Sequence, residues 1–225
     1  SWASCVQFVW IDEDGNEVEL PVGPTFYERF SRGMDRKAVA QALNEGCPRR
    51  TREISFEEAC AEFLDLRQSV PFLFREGRTV TAYQEIPVEN QRGGSLPQSD
   101  VDEEQFYFFI FDEQGQLTDA VEVPQNRGEP LFFIEGEFVD ELLSLKQGEQ
   151  SKAVFARFGR RRPIQHLQTQ DGRWHVIYNY ECVANGRRGV FCRVWIGGGT
   201  GRVEYVEGGM LGRKWTGGQS DAKDV

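Results

Sequence analysis

The sequence has no apolar run long enough to cross a membrane as a helix. Its longest run, residues 106–111, spans six positions, whereas a membrane-spanning helix needs roughly 18 to 20. Basic charge is also scarce, because 36 Asp and Glu residues outnumber 26 Lys and Arg residues. The average field of such a chain repels phosphate. We therefore expect no membrane span and no nucleic-acid partner, and the composition favours a protein or peptide partner.

Metal ligands and phosphate-binding motifs are equally sparse. The two histidines, His166 and His175, have no further ligand at metal-binding spacing. The glycine-rich residues 197–201 lack the Lys-Ser/Thr ending of a P-loop, and we interpret them as a hairpin connection. Asp12 and Asp14 lie in a turn, but no glutamate stands where it would complete a calcium-binding loop. We therefore predict no metal and no cofactor.

The five cysteines form no Cys-x-x-Cys pair. An odd number of cysteines without such pairs favours reduced thiols and a cytoplasmic location. Cys182 and Cys192 flank the turn-forming Asn-Gly dipeptide at 185–186. Two interpretations of this pair stay open: a disulfide across the hairpin in an oxidising compartment, or two neighbouring free thiols.

Apolar residues are abundant enough for a folded core, since they make up 39% of the chain and include 17 Phe. With 225 residues, the chain has room for one large domain or for two of about 100 residues each. An internal repeat favours two. An apolar run, an acidic turn ending in glycine and an alternating segment occur at residues 5–20 and again at 105–123. Four positions match at a constant offset: Phe8, Asp12, Glu13 and Gly15 with Phe108, Asp112, Glu113 and Gly115.

Each copy continues into related helical residues, at 62–68 and 141–147, and then into a strand with a glycine turn, at 75–78 and 157–160. The spacing predicts the first helix over 53–68 and the second over 138–147. The first copy also carries an insertion at 23–52 with a predicted helix at 34–44, closed by Gly46 and Pro48.

The chain is therefore divided into four parts. They are a first domain at 1–89, a polar linker at 90–102, a second domain at 103–184, and a C-terminal hairpin with a loose tail at 185–225. Within the last part, residues 174–183 and 188–196 are predicted to pair around the Asn-Gly turn, and the tail begins after Gly208.

The second domain resembles an FKBP-type peptidyl-prolyl isomerase over residues 102–184. The resemblance rests on Gly-Glu-Pro-Leu-Phe-Phe-Ile-Glu-Gly at 128–136 and on the helix and Lys-x-Gly-Glu turn at 138–149. The aromatic strand at 106–111, Ala-Arg-Phe-Gly at 156–159 and the closing strand at 174–183 support it. It implies an α+β fold of two strand-rich, FKBP-like antiparallel sheet units, each wrapped on a short helix, with the first copy diverged.

The same resemblance implies a peptide-binding pocket for a Pro-containing segment. Its lining would be Phe108, Asp119, Leu131, Phe138, Phe158 and Tyr178. Phe158 stands where the family has a tyrosine and cannot donate that hydroxyl hydrogen bond, and the segment between Gly136 and Phe138 is short. We therefore expect weak or absent isomerase activity, because only contacts that strengthen in the twisted transition state accelerate the reaction.

Three functions are compatible with these patterns. The first is an FKBP-like, peptide-binding folding factor or chaperone. The second is a non-catalytic interaction, assembly or inhibitor protein, and the third is a strand-rich binder of a small ligand. A basic cluster is a candidate contact for an acidic partner: Arg157, Arg160, Arg161 and Arg162. An open aromatic cleft favours the first function, a filled cleft the second, and a closed barrel with an internal void the third.

Overall fold

A computed structural model describes residues 10–11, 17–18, 26–45, 50–86, 105–125, 129–184, 188–210 and 213–215. All structural statements below refer to these residues. The predicted linker, the Asn-Gly turn at 185–186, the acidic turn at 12–14, Gly46 and Pro48 lie outside them.

Twelve strands and five α-helices make up the described parts. The strands are β1 (Trp10–Ile11), β2 (Glu17–Val18), β3 (Arg50–Ile54), β4 (Thr79–Ile86), β5 (Gln105–Phe111), β6 (Leu117–Pro124), β7 (Leu131–Phe132), β8 (Pro163–Gln168), β9 (Trp174–Ala184), β10 (Arg188–Gly197), β11 (Val203–Met210) and β12 (Arg213–Trp215). The α-helices are α1 (Arg36–Asn44), α2 (Phe56–Ala61), α3 (Leu66–Ser69), α4 (Glu137–Leu143) and α5 (Ser151–Phe158), and two 3-10 turns lie at Tyr27–Arg29 and Pro71–Phe74.

Ten of the strands form one mixed sheet in the order β3-β4-β5-β6-β7-β9-β10-β11-β12, with β8 lying beside β9. Neighbouring strands are antiparallel except β7 and β9, which run parallel with Phe132 opposite Cys182. The short hairpin of β1 and β2 forms a separate two-stranded sheet. The predicted strand-rich character with few helices is confirmed.

The prediction of two separate sheet units is not matched by this topology. Strand β4, from the first half, pairs directly with β5, from the second half, with Val80 opposite Ile110 and Tyr83 opposite Tyr107. The two repeated hairpins also differ, since β1 and β2 lie outside the large sheet whereas β5 and β6 lie at its centre. A central strand needs a neighbour on both edges to satisfy its backbone N–H and C=O groups, and β4 is that neighbour for β5.

The aromatic run of β5 is buried on both faces of the sheet. Its side chains alternate between two cores: Phe106, Phe108 and Ile110 in one, and Tyr107, Phe109 and Phe111 in the other. All six are at most 2% exposed. Burial on both faces explains why this strand reads as a continuous apolar run instead of an alternating one.

Each face of the sheet is covered by helices. Helix α1 packs Val39 and Leu43 into the smaller core, and Asp35 caps it by accepting a hydrogen bond from the N–H of Ala38 at 2.7 Å. The larger core lies under α2 to α5 and extends across β9, β10 and β11. The helix predicted at 34–44 is confirmed as α1.

The helix predicted at 138–147 is confirmed as α4, which ends about one turn earlier than expected. The strand predicted directly after it is wrong, because residues 151–158 form helix α5. Val154 and Phe158, four positions apart, are both buried, and this is helical spacing. Gly159, with φ at +82°, ends α5.

The helix predicted over 53–68 is broken in the structure. Strand β3 continues to Ile54, Ser55 then caps α2 through the N–H of Glu58 at 3.0 Å, and residues 62–65 separate α2 from α3. The two copies therefore lack matching helices, since α4 is a single element.

The predicted C-terminal hairpin is confirmed by β9 and β10, whose pairing runs from Arg188 opposite Ala184 to Gly197 opposite His175. The tail predicted after Gly208 is wrong for residues 213–215, which pair with β11 as β12. Cys182 and Cys192 are free thiols, both buried. Their partners across the hairpin are Val190 and Tyr180, so the two cysteines are not directly opposite one another.

Candidate functional site

Phe138, the expected pocket floor, is part of a closed aromatic core. Its ring stacks on Phe132 with centroids 3.6 Å apart, and Phe158 meets it edge-on at 5.6 Å. All three side chains are 1% exposed. Phe108 lies in the same core, where it contacts Phe56 and Phe63 from the first half of the chain. The expected peptide-binding wall is therefore covered.

The remaining two apolar pocket residues lie nearer the surface. Tyr178 on β9 is partly buried and meets Phe155 at 5.0 Å, while Leu131 on β7 is also partly buried. Of the six predicted residues, the structure thus brings Asp119, Phe138 and Phe158 together, buries Phe108 in the same core, and leaves Leu131 and Tyr178 at its margin.

Phe72 packs against the rings of Phe138 and Phe132. It lies 0% exposed in the 3-10 turn at Pro71–Phe74, with its ring centroid 5.6 Å from that of Phe138 and 5.8 Å from that of Phe132. Sequence reasoning missed this residue because its position depends on how the two halves of the chain pack against each other.

Asp119 holds the beginning of α4 in place from β6. Its Oδ1 accepts a hydrogen bond from the backbone N–H of Phe138 at 3.0 Å. Gly136 precedes the helix, and a Cβ there would collide with the Thr118 carbonyl and the Asp119 carboxylate. Burial raises the pKa of Asp119 to about 7, although the Phe138 N–H, the Thr118 hydroxyl and Arg78 act in the opposite direction. Asp119 therefore has a structural role.

Two arginines connect the turn before β4 to helix α4. Arg78 lies 3.5 Å from Asp119 and pairs with Glu137, and Arg75 forms a two-pronged pair with Glu141. Both guanidinium groups lie over the ring of Phe72, at 4.6 and 4.1 Å. The hydrogen bond from Arg75 is the main reason that the pKa of Glu141 is lowered. These contacts seal the aromatic core against solvent.

The predicted basic cluster is divided between internal and outward-facing roles. Arg157 pairs with Glu149 and lies over Phe158 at 4.9 Å. Arg161 is 5% exposed, and its guanidinium donates to the Ser69 carbonyl and lies 3.3 Å from the Glu129 carboxylate. Burial lowers the pKa of Arg161. Arg161 is therefore buried in internal contacts, whereas Arg157 is partly exposed.

Arg160 and Arg162 are the exposed members of the cluster. They flank the buried Arg161 in the segment between α5 and β8. Their backbone N–H groups donate to the Gln68 carbonyl and to Glu129. Neither guanidinium group forms an ion pair among the described residues.

These arginines line an open groove of about 730 Å³, which we call the Arg160 groove. Its walls are the loop at 62–66 with Ser69, the end of β6 at 123–125, Glu129 with Pro130, and residues 160–163. Leu64, in the break between α2 and α3, is 100% exposed there. Sequence reasoning placed Leu64 on a helix and missed it, because the break between α2 and α3 was not anticipated.

The histidines and the glycine-rich segment take part in ordinary structural contacts. His166 is exposed on β8, whereas buried His175 lies 2.8 Å from the Glu204 carboxylate. Gly197 is the last residue of β10, and residues 198–202 connect β10 to β11, so the interpretation as a hairpin connection is confirmed. Across the described ranges, no group of three or more His, Cys, Asp or Glu side chains is placed to hold a metal ion.

Comparison with known proteins gives no match among family models, curated proteins or solved structures. Among the described residues, no helix has the length and apolar character to cross a membrane.

Proposed function

We propose that this protein is a non-catalytic protein-interaction module that binds an extended segment of a partner protein in the Arg160 groove. The segment carries an apolar side chain and carboxylates. The observation behind the proposal is a contrast between two sites: the aromatic site is a closed core in which Phe72 packs against Phe138, whereas the groove is open and holds exposed apolar and cationic groups. The FKBP resemblance of residues 102–184 stays a hypothesis about the origin of the fold.

The apolar contribution comes from one rim of the groove. Leu64 is fully exposed, Phe63 beside it is only partly buried, and Pro124 and Pro130 also line the groove. Removing such apolar surface from water stabilises a complex by about 25 cal/mol per Å². A lone exposed leucine is unremarkable in a folded protein, but a leucine in a groove supplies a docking contact.

The charged contribution comes from Arg160 and Arg162. A chain with a net charge of −10 repels acidic partners on average. These two cations, which form no ion pair within the described part of the chain, make this part of the surface an exception. Glu62 and Asp65 also line the groove, so a partner segment is oriented with its carboxylates toward the two arginines and away from these acids.

The groove is held in a fixed shape by buried contacts. Arg161 joins it to Ser69 and Glu129, and the Tyr180 hydroxyl donates to the Gly159 carbonyl at 2.8 Å. A groove that is already ordered binds with a smaller entropy cost than one that must form on binding.

Fluorescence anisotropy with labelled eight-residue probe peptides tests the proposal. One probe alternates Leu and Glu, a second alternates Leu and Lys, and a third alternates Ser and Glu. We expect the Leu-Glu probe to bind most tightly, and the double variant Arg160→Glu/Arg162→Glu to weaken its binding about tenfold or more. Leu64→Ser should weaken the same probe.

Arg173→Glu is the matched control, since this exposed arginine pairs with Asp171 away from the groove. Its affinity for the Leu-Glu probe should equal that of the wild type. Equal affinity for the Leu-Glu and Leu-Lys probes, or unchanged affinity in the double arginine variant, would refute the proposed site.

A further inference from the structure

A further open cavity, of about 440 Å³, lies where strands β9, β10 and β11 run side by side. His175, Trp195 and Tyr205, one from each of these strands, form part of its wall. Their rings make a row, with centroids 5.8 Å apart between His175 and Trp195 and 5.9 Å apart between Trp195 and Tyr205. None of the three lines the Arg160 groove, so this is a separate site, which we call the Trp195 cavity.

The charged groups of the Trp195 cavity are paired with one another. The Glu204 carboxylate lies 2.8 Å from Nε2 of His175 and 3.4 Å from the guanidinium of Arg173, which also pairs with Asp171. Gly197 makes room for this arrangement, because a Cβ added there would collide with the Glu204 carboxylate. Among the described residues, the wall therefore offers no unpaired charge to an ionic ligand.

Two buried nitrogen atoms on this wall lack a hydrogen-bond partner within the described part of the chain. They are Nδ1 of His175 and Nε1 of Trp195, each with less than 1 Å² of accessible surface. The His175 side chain as a whole is 6% exposed. Buried polar atoms in folded proteins are almost always paired, either within the protein or with a bound molecule. Two unpaired nitrogens on the wall of one cavity therefore point to a ligand that pairs with them.

The chemistry of the two nitrogens defines the groups that can pair with them. The indole N–H of Trp195 only donates. Because a carboxylate only accepts, His175 donates from Nε2 to Glu204, and Nδ1 of the neutral ring is then an acceptor. Hydroxyl groups meet both needs, since each can accept one hydrogen bond and donate another. The exposed Gln147 places a further amide on the wall, and the aromatic rings add apolar surface.

We propose that the Trp195 cavity binds a neutral, hydroxyl-rich ring, as in one unit of a carbohydrate. This site goes beyond the proposed peptide-binding function and does not depend on it. The hydroxyls of the sugar pair with Nδ1 of His175 and Nε1 of Trp195, and its C–H face packs on the aromatic wall. Since both nitrogens are closed to solvent, part of the wall moves to admit the sugar. Tyr205, at 44% exposed, is the least covered of the three rings and is the part that moves.

Saturation-transfer difference NMR with the intact protein tests the site. The probes are the methyl glycosides of glucose, galactose and mannose, with choline and acetate as ionic probes. A single sugar ring makes few contacts, so at least one glycoside should bind saturably with a dissociation constant on the order of 1 to 10 mM, and neither ion should bind. If none of the three glycosides gave a saturable signal, water alone would fill the cavity and the inference would be overturned. Choline or acetate binding as tightly as the glycosides would overturn it as well.

Two single variants and a matched control locate the binding. Trp195→Phe keeps an aromatic face and removes the N–H, while His175→Gln keeps a donor for Glu204 and removes Nδ1. Each should weaken glycoside binding about fivefold or more, with an unchanged circular dichroism spectrum. Trp174→Phe makes the same change at an exposed position on the other face of β9 and should bind as the wild type does. Unchanged affinity in both cavity variants, or an equal loss in Trp174→Phe, would contradict the site.

Discussion

Asp119 is the buried group whose protonation should be visible in the stability of the protein. It is 1% exposed, and burial raises its pKa from 3.8 to about 7. Between pH 3.8 and about pH 7, the Asp119 carboxyl is therefore protonated more often in the folded state than in the unfolded state. The free energy of unfolding therefore falls as the pH rises through this window, by up to about 4 kcal/mol.

We expect Asp119→Asn to flatten this pH dependence. The asparagine oxygen can still accept the hydrogen bond from Phe138, but the group no longer titrates. Urea unfolding at pH 5 and at pH 8 should show a larger loss of stability for the wild type than for the variant. Asp140→Asn, at an exposed ion pair with Arg32, is the control and should behave as the wild type. If the free energy of unfolding changed equally between pH 5 and pH 8 for the wild type and for Asp119→Asn, burial would not be what raises the pKa of Asp119.

For individual residues, the sequence predicted which side chains lie together but not whether they are exposed. Asp119, Phe138 and Phe158 were expected together from the FKBP resemblance, and they do lie together. Their exposure was not predictable from sequence, because Phe72 and the arginines that cover them come from a segment more than 40 residues away in the chain. Burial depends on such long-range packing and not on local spacing.

The shape of the Arg160 groove depends on the backbone at Gly159, directly after α5. Gly159 has φ at +82°, and an added Cβ there would collide with the Ser69 carbonyl. Gly172 has the same φ, but nothing lies within 4 Å of its added Cβ. Both glycines have a positive φ. Only Gly159 also lies where an added Cβ would collide with a neighbouring atom.

Gly159→Ala should therefore cost more stability than Gly172→Ala. The positive φ strains an alanine in both variants by roughly 1 to 3 kcal/mol. Displacement of the Ser69 backbone should add at least another 1 kcal/mol at Gly159. Chemical denaturation provides the comparison, and peptide anisotropy should show weaker binding for Gly159→Ala alone. Equal costs for the two substitutions would mean that the backbone accommodates the methyl group.

Helices α1 and α4 were predicted well, whereas α2, α3 and α5 were not. Helix α1 has Asp35 as its cap and buried residues four positions apart, and both signals are local. The strand predicted in place of α5 was wrong because it was inferred from the repeat, while the buried positions Val154 and Phe158 follow helical spacing. The repeat likewise led to one helix over 53–68 where the structure has two.

At the scale of the whole molecule, the pairing of β4 with β5 joins both halves into one sheet. The larger core combines residues such as Phe72 and Ala82 from the first half with Phe138 and Tyr180 from the second. The sequence-based division at 90–102 reflects the composition of the linker, and local composition carries no information about which strands pair across it.

We therefore expect that residues 103–225 alone do not form a cooperatively folded unit. Removing the first half exposes the edge of β5, an aromatic strand, and uncovers both cores. Circular dichroism and thermal unfolding of this fragment should show no sharp transition, whereas the full chain should unfold in a single one. A fragment with its own cooperative transition and native-like spectrum would favour two independent domains.

The central claim is that the aromatic residues form a closed core, so that binding occurs without catalysis. A proline-limited refolding assay tests it most directly, because uncatalysed isomerisation of an X-Pro bond takes tens of seconds or longer. The account predicts that catalytic amounts of the intact protein leave the slow refolding phase of a test substrate unchanged, while the Leu-Glu probe still binds. A concentration-dependent acceleration comparable to that of an efficient isomerase would contradict the account.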